Sequence, residues 1–161
     1  MEEEKVLTQV GVYKGLDMVF QMVQKKSVAE AIGKSSVWMA NKYNRTFTSG
    51  RQHEFYESDM DMLNIAVGRV GNQLRSTRVV YSGDRDDLIE QINTKLQPIV
   101  RMPYIYEVRL GKNRGWYNHR MSKVPPSGQV RCFTEDDILQ INLAVAEIAA
   151  RLLSIELVIE K

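Results

Sequence analysis

Residues 33–45 read GKSSVWMANKYNR, and residues 111–123 read GKNRGWYNHRMSK. Glycine, lysine and tryptophan recur in register 78 residues apart, and the same offset continues without a gap for roughly fifty residues. The matched pairs include Gly33 and Gly111, Trp38 and Trp116, Phe55 and Phe133, Asp59 and Asp137, Asn64 and Asn142, and Leu74 and Leu152. This recurrence predicts a tandem duplication of one small unit, at residues 1–80 and again at residues 81–161.

Size and composition limit the classes of protein that the chain can belong to. Its 161 residues, 43% of them hydrophobic, suffice for one ordinary domain or for two very small units that support each other. A net charge of +2 allows a nucleic-acid partner without requiring one. The lone Cys132 excludes an internal disulfide and a multi-cysteine metal site. With an acidic start and no long apolar run, we expect a cytoplasmic protein without a membrane span.

Apolar spacing and capping residues predict a mostly helical first unit. Ser27 and Glu30 resemble a capping box for a short helix, and Gly33 is suited to end that helix. Residues 45–54 form either a loop or a short β-wing that turns at Ser49–Gly50. The predicted helices cover residues 6–23, with Lys25–Lys26 at its end, then residues 28–32, residues 35–44 and residues 58–78.

The second unit repeats this order of elements. Its predicted helices cover residues 86–99, 104–111, 113–122 and 134–152, with a turn at residues 125–128. Residues 155–159 either prolong the last helix or pair as a strand with residues 79–81. We therefore predict an all-α fold of two tandem helix-turn-helix units, with about four helices each and an internal pseudo-symmetry. A short β pairing at the linker and the C-terminus remains open.

Small residues mark one face of each long closing helix. Gly68 and Gly71 in the first unit correspond to Ala146 and Ala149 in the second. Two helices with small residues at the contact can approach closely. The pattern predicts that these helices pack on one another, or else that each makes a tight contact within its own unit.

The order of turn glycine, second helix, polar loop and Phe-x-Glu-x-Asp helix start resembles the repressor/Cro-type helix-turn-helix domains. Phe133–Thr134–Glu135 carries this resemblance well, whereas Arg45 stands where that family has glycine. The tryptophan after Gly-Lys-x-x-x resembles a group of small uncharacterised proteins from phages and mobile elements of gut bacteria. The resemblance implies that the start of each second helix enters a major groove of DNA.

The resemblance also implies which side chains contact DNA. In the second unit, Arg114 and Asn118 can pair with guanine and adenine, and His119 lies on the same face. The first unit presents a poorer reading face with Ser36 and Asn41. The side chains expected at phosphates are those of Lys34, Lys42, Arg45, Lys112, Arg120 and Lys123.

Each of these features also has a purely structural interpretation. Lysine and arginine on a short surface helix are often merely solvated. Trp38 and Trp116 are expected to anchor the core rather than to stack on bases, and the repeated asparagines Asn64 and Asn142 to bond a loop backbone. Cys132 is expected to be buried. Without a phosphate-binding glycine loop, a metal cluster or a catalytic set, the sequence predicts no enzyme and no cofactor.

Two functions therefore follow from the sequence. The first is double-stranded DNA binding by a phage or mobile-element transcriptional regulator, in which the two units act as a single-chain pseudo-dimer. The second is a protein-interaction module on the same scaffold, which binds a host or phage protein and no DNA. Self-association into a homodimer stays open.

Overall fold

A computed structural model describes residues 7–122 and 130–160 of the chain. These residues are mostly helical, as predicted, with two two-stranded sheets. The α-helices are α1 (Val12–Met22), α2 (Lys25–Glu30), α3 (Ser36–Asn44), α4 (Met60–Arg75), α5 (Arg85–Gln91), α6 (Arg114–Met121) and α7 (Glu135–Ser154). The strands are β1 (Thr8–Gly11), β2 (Phe47–Thr48), β3 (Arg51–Gln52) and β4 (Ile155–Val158), and Glu57–Asp59 form a 3-10 turn.

The two ends of the described chain pair with each other. Strand β1 lies parallel to β4, with Thr8 opposite Ile155 and Gly11 opposite Val158. The prediction of one helix from residue 6 is therefore wrong at its start, because backbone pairing with a distant segment overrides the local periodicity. The tail is a strand, as one alternative held, but its partner is β1 rather than residues 79–81.

The first helical pair is joined by a turn at Gly33. Helix α2 begins at Lys25, so Lys25–Lys26 start this helix rather than end α1. The predicted cap at Ser27 is wrong, because its Oγ lies inside α2 and donates a hydrogen bond to Gln24 O at 2.7 Å. Helix α3 and its boundaries agree with the prediction. It is followed by the β2–β3 hairpin, in which Ser49 and Gly50 both have positive φ, as two-residue hairpin turns require.

The second half contains two π-helical turns. They lie at Ile92–Leu96, directly after α5, and at Tyr104–Arg109, before α6. Gln97 N donates to Ile92 O and Leu110 N donates to Ile105 O, both at 3.0 Å. Each bond spans five residues, so these turns hold one residue more than an α-helical turn. The uniform helix predicted over residues 86–99 is therefore interrupted.

Helices α4 and α7 pack along each other and join the two halves. A Cβ atom on Gly71 would lie 2.9 Å from Leu153 Cγ, so the absence of a side chain permits this approach. Gly68 faces open space and is not part of the contact. One continuous apolar core includes residues of both halves, among them Leu16, Leu63 and Ile148. The predicted packing of the two long helices on one another is confirmed.

The repeated asparagines tie each long helix to a distant backbone. Asn64 Nδ2 donates to Leu157 O at 3.0 Å, and Leu157 N donates to Asn64 Oδ1 at 2.7 Å. Asn142 makes the same two bonds to Val79, both at 2.9 Å. Each asparagine thus holds the segment that follows the other long helix. The predicted bond to a loop backbone is confirmed for Asn142, and for Asn64 the partner is strand β4.

Candidate nucleic-acid interface

The same local geometry starts α3 and α6. The preceding glycines, Gly33 and Gly111, have φ of 68° and 67°, a conformation that a Cβ atom disfavours. Ser35 Oγ accepts from Trp38 N at 3.0 Å, and Asn113 Oδ1 accepts from Trp116 N at 2.8 Å. Two different capping residues therefore satisfy the same orphan N–H group at the helix start.

Both tryptophans are held against the core, and this confirms their predicted role as anchors. Trp38 meets Phe55 edge-on at 6.2 Å, and Trp116 meets Phe133 at 5.8 Å between ring centroids. Cationic groups lie over the rings. They are Lys34 and Lys42 over Trp38, and Lys112 and Arg120 over Trp116, at 4.4 to 5.9 Å from the centroids. Because cations lie over these faces, they are poorly placed to stack on bases.

Lys42 and Arg120 point inward rather than towards a ligand. Lys42 Nζ lies 2.8 Å from Asp59 Oδ2, and Arg120 Nε lies 3.9 Å from Asp137 Oδ2, with all four side chains mostly buried. Burial lowers the pKa of Arg120, and the charge of Asp137 opposes this shift. The expected role of Lys42 and Arg120 at phosphates therefore needs correction, since both are held in internal ion pairs.

The remaining predicted contact residues differ in exposure. Arg114, Asn118, Lys112, Ser36 and Arg45 are exposed, whereas Lys34, Asn41 and His119 are half-buried, and Lys123 lies outside the described residues. Arg45 adopts the left-handed conformation, with φ of 53°, that a glycine would favour at this position. Its guanidinium lies 3.8 Å from the centroid of the Tyr13 ring, so part of its role is to cover the core.

Two grooves lie beside the starts of α3 and α6. The first, of about 590 Å³, borders α3, and the second, of about 430 Å³, borders α6. The first groove is lined by Phe20, Val23, Gln24, Lys25, Lys26, Ser36, Val37, Ala40 and Arg101. The second groove is lined by Gln24, Gln97, Val100, Met102, Pro103, Tyr106, Glu107, Arg114, Tyr117 and Asn118.

The two grooves meet where the two halves of the chain cross. Val23 and Val100 form an isolated antiparallel bridge. Gln24 N donates to Ile99 O at 2.7 Å, and Arg101 N donates to Met22 O at 2.9 Å. Gln24 lines both grooves, and Arg101 reaches from the second half into the first groove. The starts of α3 and α6 are therefore neighbours on one surface, on either side of this crossing.

The charge of this surface comes from lysine and arginine. Lys25 Nζ lies over the rings of Phe20 and Tyr43, and Arg101 Nη1 donates to Phe20 O at 3.0 Å. Burial and a hydrogen bond to Asp17 raise the pKa of Tyr43 to about 12. Burial also raises the pKa of Tyr117 in the second groove. Both phenols are neutral at physiological pH and leave the basic character of the surface unchanged.

Sequence reasoning missed Gln24, Lys25, Lys26 and Arg101 as groove residues. The Lys25–Lys26 pair was a visible signal, but its place at the start of α2 was not. Cys132, expected to be buried, is exposed, because Phe133 alone turns into the core there. Within residues 7–122 and 130–160, no group of histidine, cysteine and carboxylate side chains is suited to a metal ion. No described helix has both the length and the apolar character to cross a membrane.

Comparison of the chain with protein-family models, with curated proteins and with solved structures yields no match.

Proposed function

We propose that this protein binds double-stranded DNA through the surface formed by the starts of α3 and α6. In this proposal α2–α3 and the second π-helical turn with α6 are two helix-turn-helix units, tandem copies of one ancestor related by an internal pseudo-symmetry. The recurrence of turn glycine, capping residue, tryptophan, ion pair and asparagine contacts at the same spacing supports this interpretation. The two copies then act together as a single-chain pseudo-dimer, as in a phage or mobile-element transcriptional regulator.

One observation carries the proposal: Arg114 and Asn118 lie exposed on one face of α6 and line the same groove. They lie four residues apart and hence on one side of the helix. Arginine can pair with both acceptors of guanine, and asparagine with the donor and acceptor of adenine. The cations of the adjoining first groove supply attraction for the phosphate backbone.

The direct experiment is selection of duplexes from a random-sequence pool, followed by gel-shift titration. We expect a shared sequence to be enriched and to compete better than an unrelated duplex of equal length. A pool that stays unenriched, with no complex formed at about 50 mM salt, would contradict DNA binding.

The two reading faces should contribute unequally. Arg114→Ala removes a side chain that can contact guanine, and we expect it to weaken binding to the selected duplex by about tenfold or more. Ser36→Ala at the matching position of α3 serves as the control and should change affinity by less than about threefold. Equal losses in both variants would contradict the predicted asymmetry.

A second candidate function is binding of a host or phage protein. It is favoured by apolar exposure in the first half, where Val37 is 65% and Phe47 is 68% exposed. A capture experiment with and without nuclease distinguishes the two functions. A partner retained after nuclease treatment, and lost in Val37→Ser, supports protein binding, whereas loss of all captured material on nuclease treatment supports DNA binding.

A further inference from the structure

The two grooves are built from matching positions of the two halves. Ser36 and Ala40 of α3 match Arg114 and Asn118 of α6 at an offset of 78 residues. Around the Val23–Val100 bridge the offset is 77, because the bond from Gln24 to Ile99 and the bond from Arg101 to Met22 then exchange the same two positions. The second π-helical turn accounts for the extra residue between these two regions.

With this alignment, the chemistry of the two grooves is complementary rather than equal. Lys25 and Lys26 of the first groove correspond to Met102 and Pro103 of the second. Each half also contributes one residue to the groove of the other half. Arg101 reaches the first groove, and the neutral Gln24, at the equivalent position, reaches the second.

The first groove therefore has cations without base-reading groups on its helix. Three cationic side chains line it, and its described lining includes no carboxylate. Its helix presents only Ser36, Val37 and Ala40 to the groove, none of which can make a two-bond contact with a base edge.

The second groove has the reverse composition. Arg114 and Asn118 face it from α6, and the charge of Arg114 is opposed by Glu107 on the same lining. Its other polar groups are neutral; for example, Gln97 Nε2 donates to Tyr117 Oη at 2.7 Å. Hydrogen-bonding specificity, rather than net positive charge, characterises this groove.

We propose that the two halves have divided the work of DNA recognition. The first groove binds phosphates of the duplex through Lys25, Lys26 and Arg101, and the second groove reads base edges through Arg114 and Asn118. Phosphate contacts fix the position of a protein on DNA, and base contacts determine the sequence that it selects. This inference rests on the proposed DNA binding and adds to it a separate role for each half.

The experiment compares two double variants, Lys26→Ala with Arg101→Ala and Arg114→Ala with Asn118→Ala. Each is titrated with the selected duplex and with an unrelated duplex of equal length over a salt series. The first variant should weaken binding to both duplexes by the same factor, about tenfold or more, and reduce the salt slope by about 2. The second should lower the preference for the selected duplex by about tenfold and leave the salt slope nearly unchanged.

Two controls separate an effect on binding from an effect on folding. Lys26→Ala alone keeps the hydrogen bond from Arg101 to Phe20, and the Lys26 side chain is 74% exposed, so this variant should fold normally and reduce the salt slope by about 1. Arg75→Ala removes one charge at an exposed site on α4 that lines neither groove, and it should leave affinity unchanged.

The outcomes distinguish this inference from the proposed function. If no duplex binds the wild-type protein, DNA binding itself fails and the division of work fails with it. If the wild type binds selectively but the Lys26 and Arg101 variant keeps the full salt slope, only the division of work is overturned. A loss of selectivity in that variant equal to the loss in the Arg114 and Asn118 variant would also overturn it.

Discussion

At the residue scale, the asparagines of the two long helices make the most specific contacts in the fold. Each satisfies one N–H and one C=O group of a distant backbone segment, and Leu157 and Val79 at those sites are both buried. A side chain with one donor and one acceptor on the same planar group fits this task, and alanine or aspartate does not. This explains why the sequence keeps the same residue type at positions 78 apart.

Asn64→Ala should lower the free energy of unfolding by about 1–3 kcal/mol, because it leaves two buried backbone groups of Leu157 without partners. Asn142→Ala should cost a similar amount through Val79. Asn72→Ala, at an exposed position of α4, is the matched control and should change stability by less than about 0.5 kcal/mol. Urea unfolding curves measure all three values, and equal stability of Asn64→Ala and Asn72→Ala would contradict the proposed role.

Single residues were predictable where the sequence uses them twice or where their chemistry acts locally. Thr134 and Asp137 form the expected capping box, with bonds of 2.9 and 3.0 Å. Ser27 was not predictable, because α2 begins where the cross-chain bond of Gln24 to Ile99 ends, and no local pattern reveals that bond. The inward turn of Lys42 likewise depends on Asp59, which lies 17 residues away.

At the element scale, α4 and α7 were predictable because their apolar spacing persists over many turns. Strands β1 and β4 have four residues each and pair across almost the whole chain, so their register is decided by tertiary structure. The π-helical turns were missed because an inserted residue leaves no mark on a periodic pattern. They show up only when contacts at offsets of 77 and 78 residues are compared.

The two glycines of α4 provide a matched pair for testing the helix contact. Gly68→Ala places its Cβ in open space and should stabilise the protein by up to about 1 kcal/mol, since alanine favours the helix. Gly71→Ala places its Cβ 2.9 Å from Leu153 Cγ and 3.2 Å from Leu152 Cβ, so we expect it to fall below wild type by about 1–2 kcal/mol. Equal gains in thermal or urea unfolding would contradict the close packing of α4 on α7.

At the scale of the whole molecule, the two halves share a single apolar core and exchange backbone contacts through Asn64 and Asn142. The grooves also depend on both halves, since Gln24 and Arg101 each line the groove of the other half. A duplication can be read from the sequence, but the way in which two copies pack cannot. For this reason the reading residues of α6 could be named in advance and the cations of the first groove could not.

A shared core predicts that the halves unfold together. Trp38→Phe and Trp116→Phe each leave one tryptophan as a fluorescent reporter, in the second and in the first half respectively. In each variant, the fluorescence midpoint in urea should coincide with the midpoint from far-ultraviolet circular dichroism. Two separate transitions, one for each half, would contradict the shared core.

The salt dependence of binding to a selected duplex tests the central claim, that the crossing surface binds DNA, most directly. Plotted as log Kobs against log salt concentration, the data should fall on a line with a slope of about −4, because four or five cationic side chains near the grooves would each release a phosphate counterion. A slope near zero, or no measurable complex at low salt, would contradict the claim.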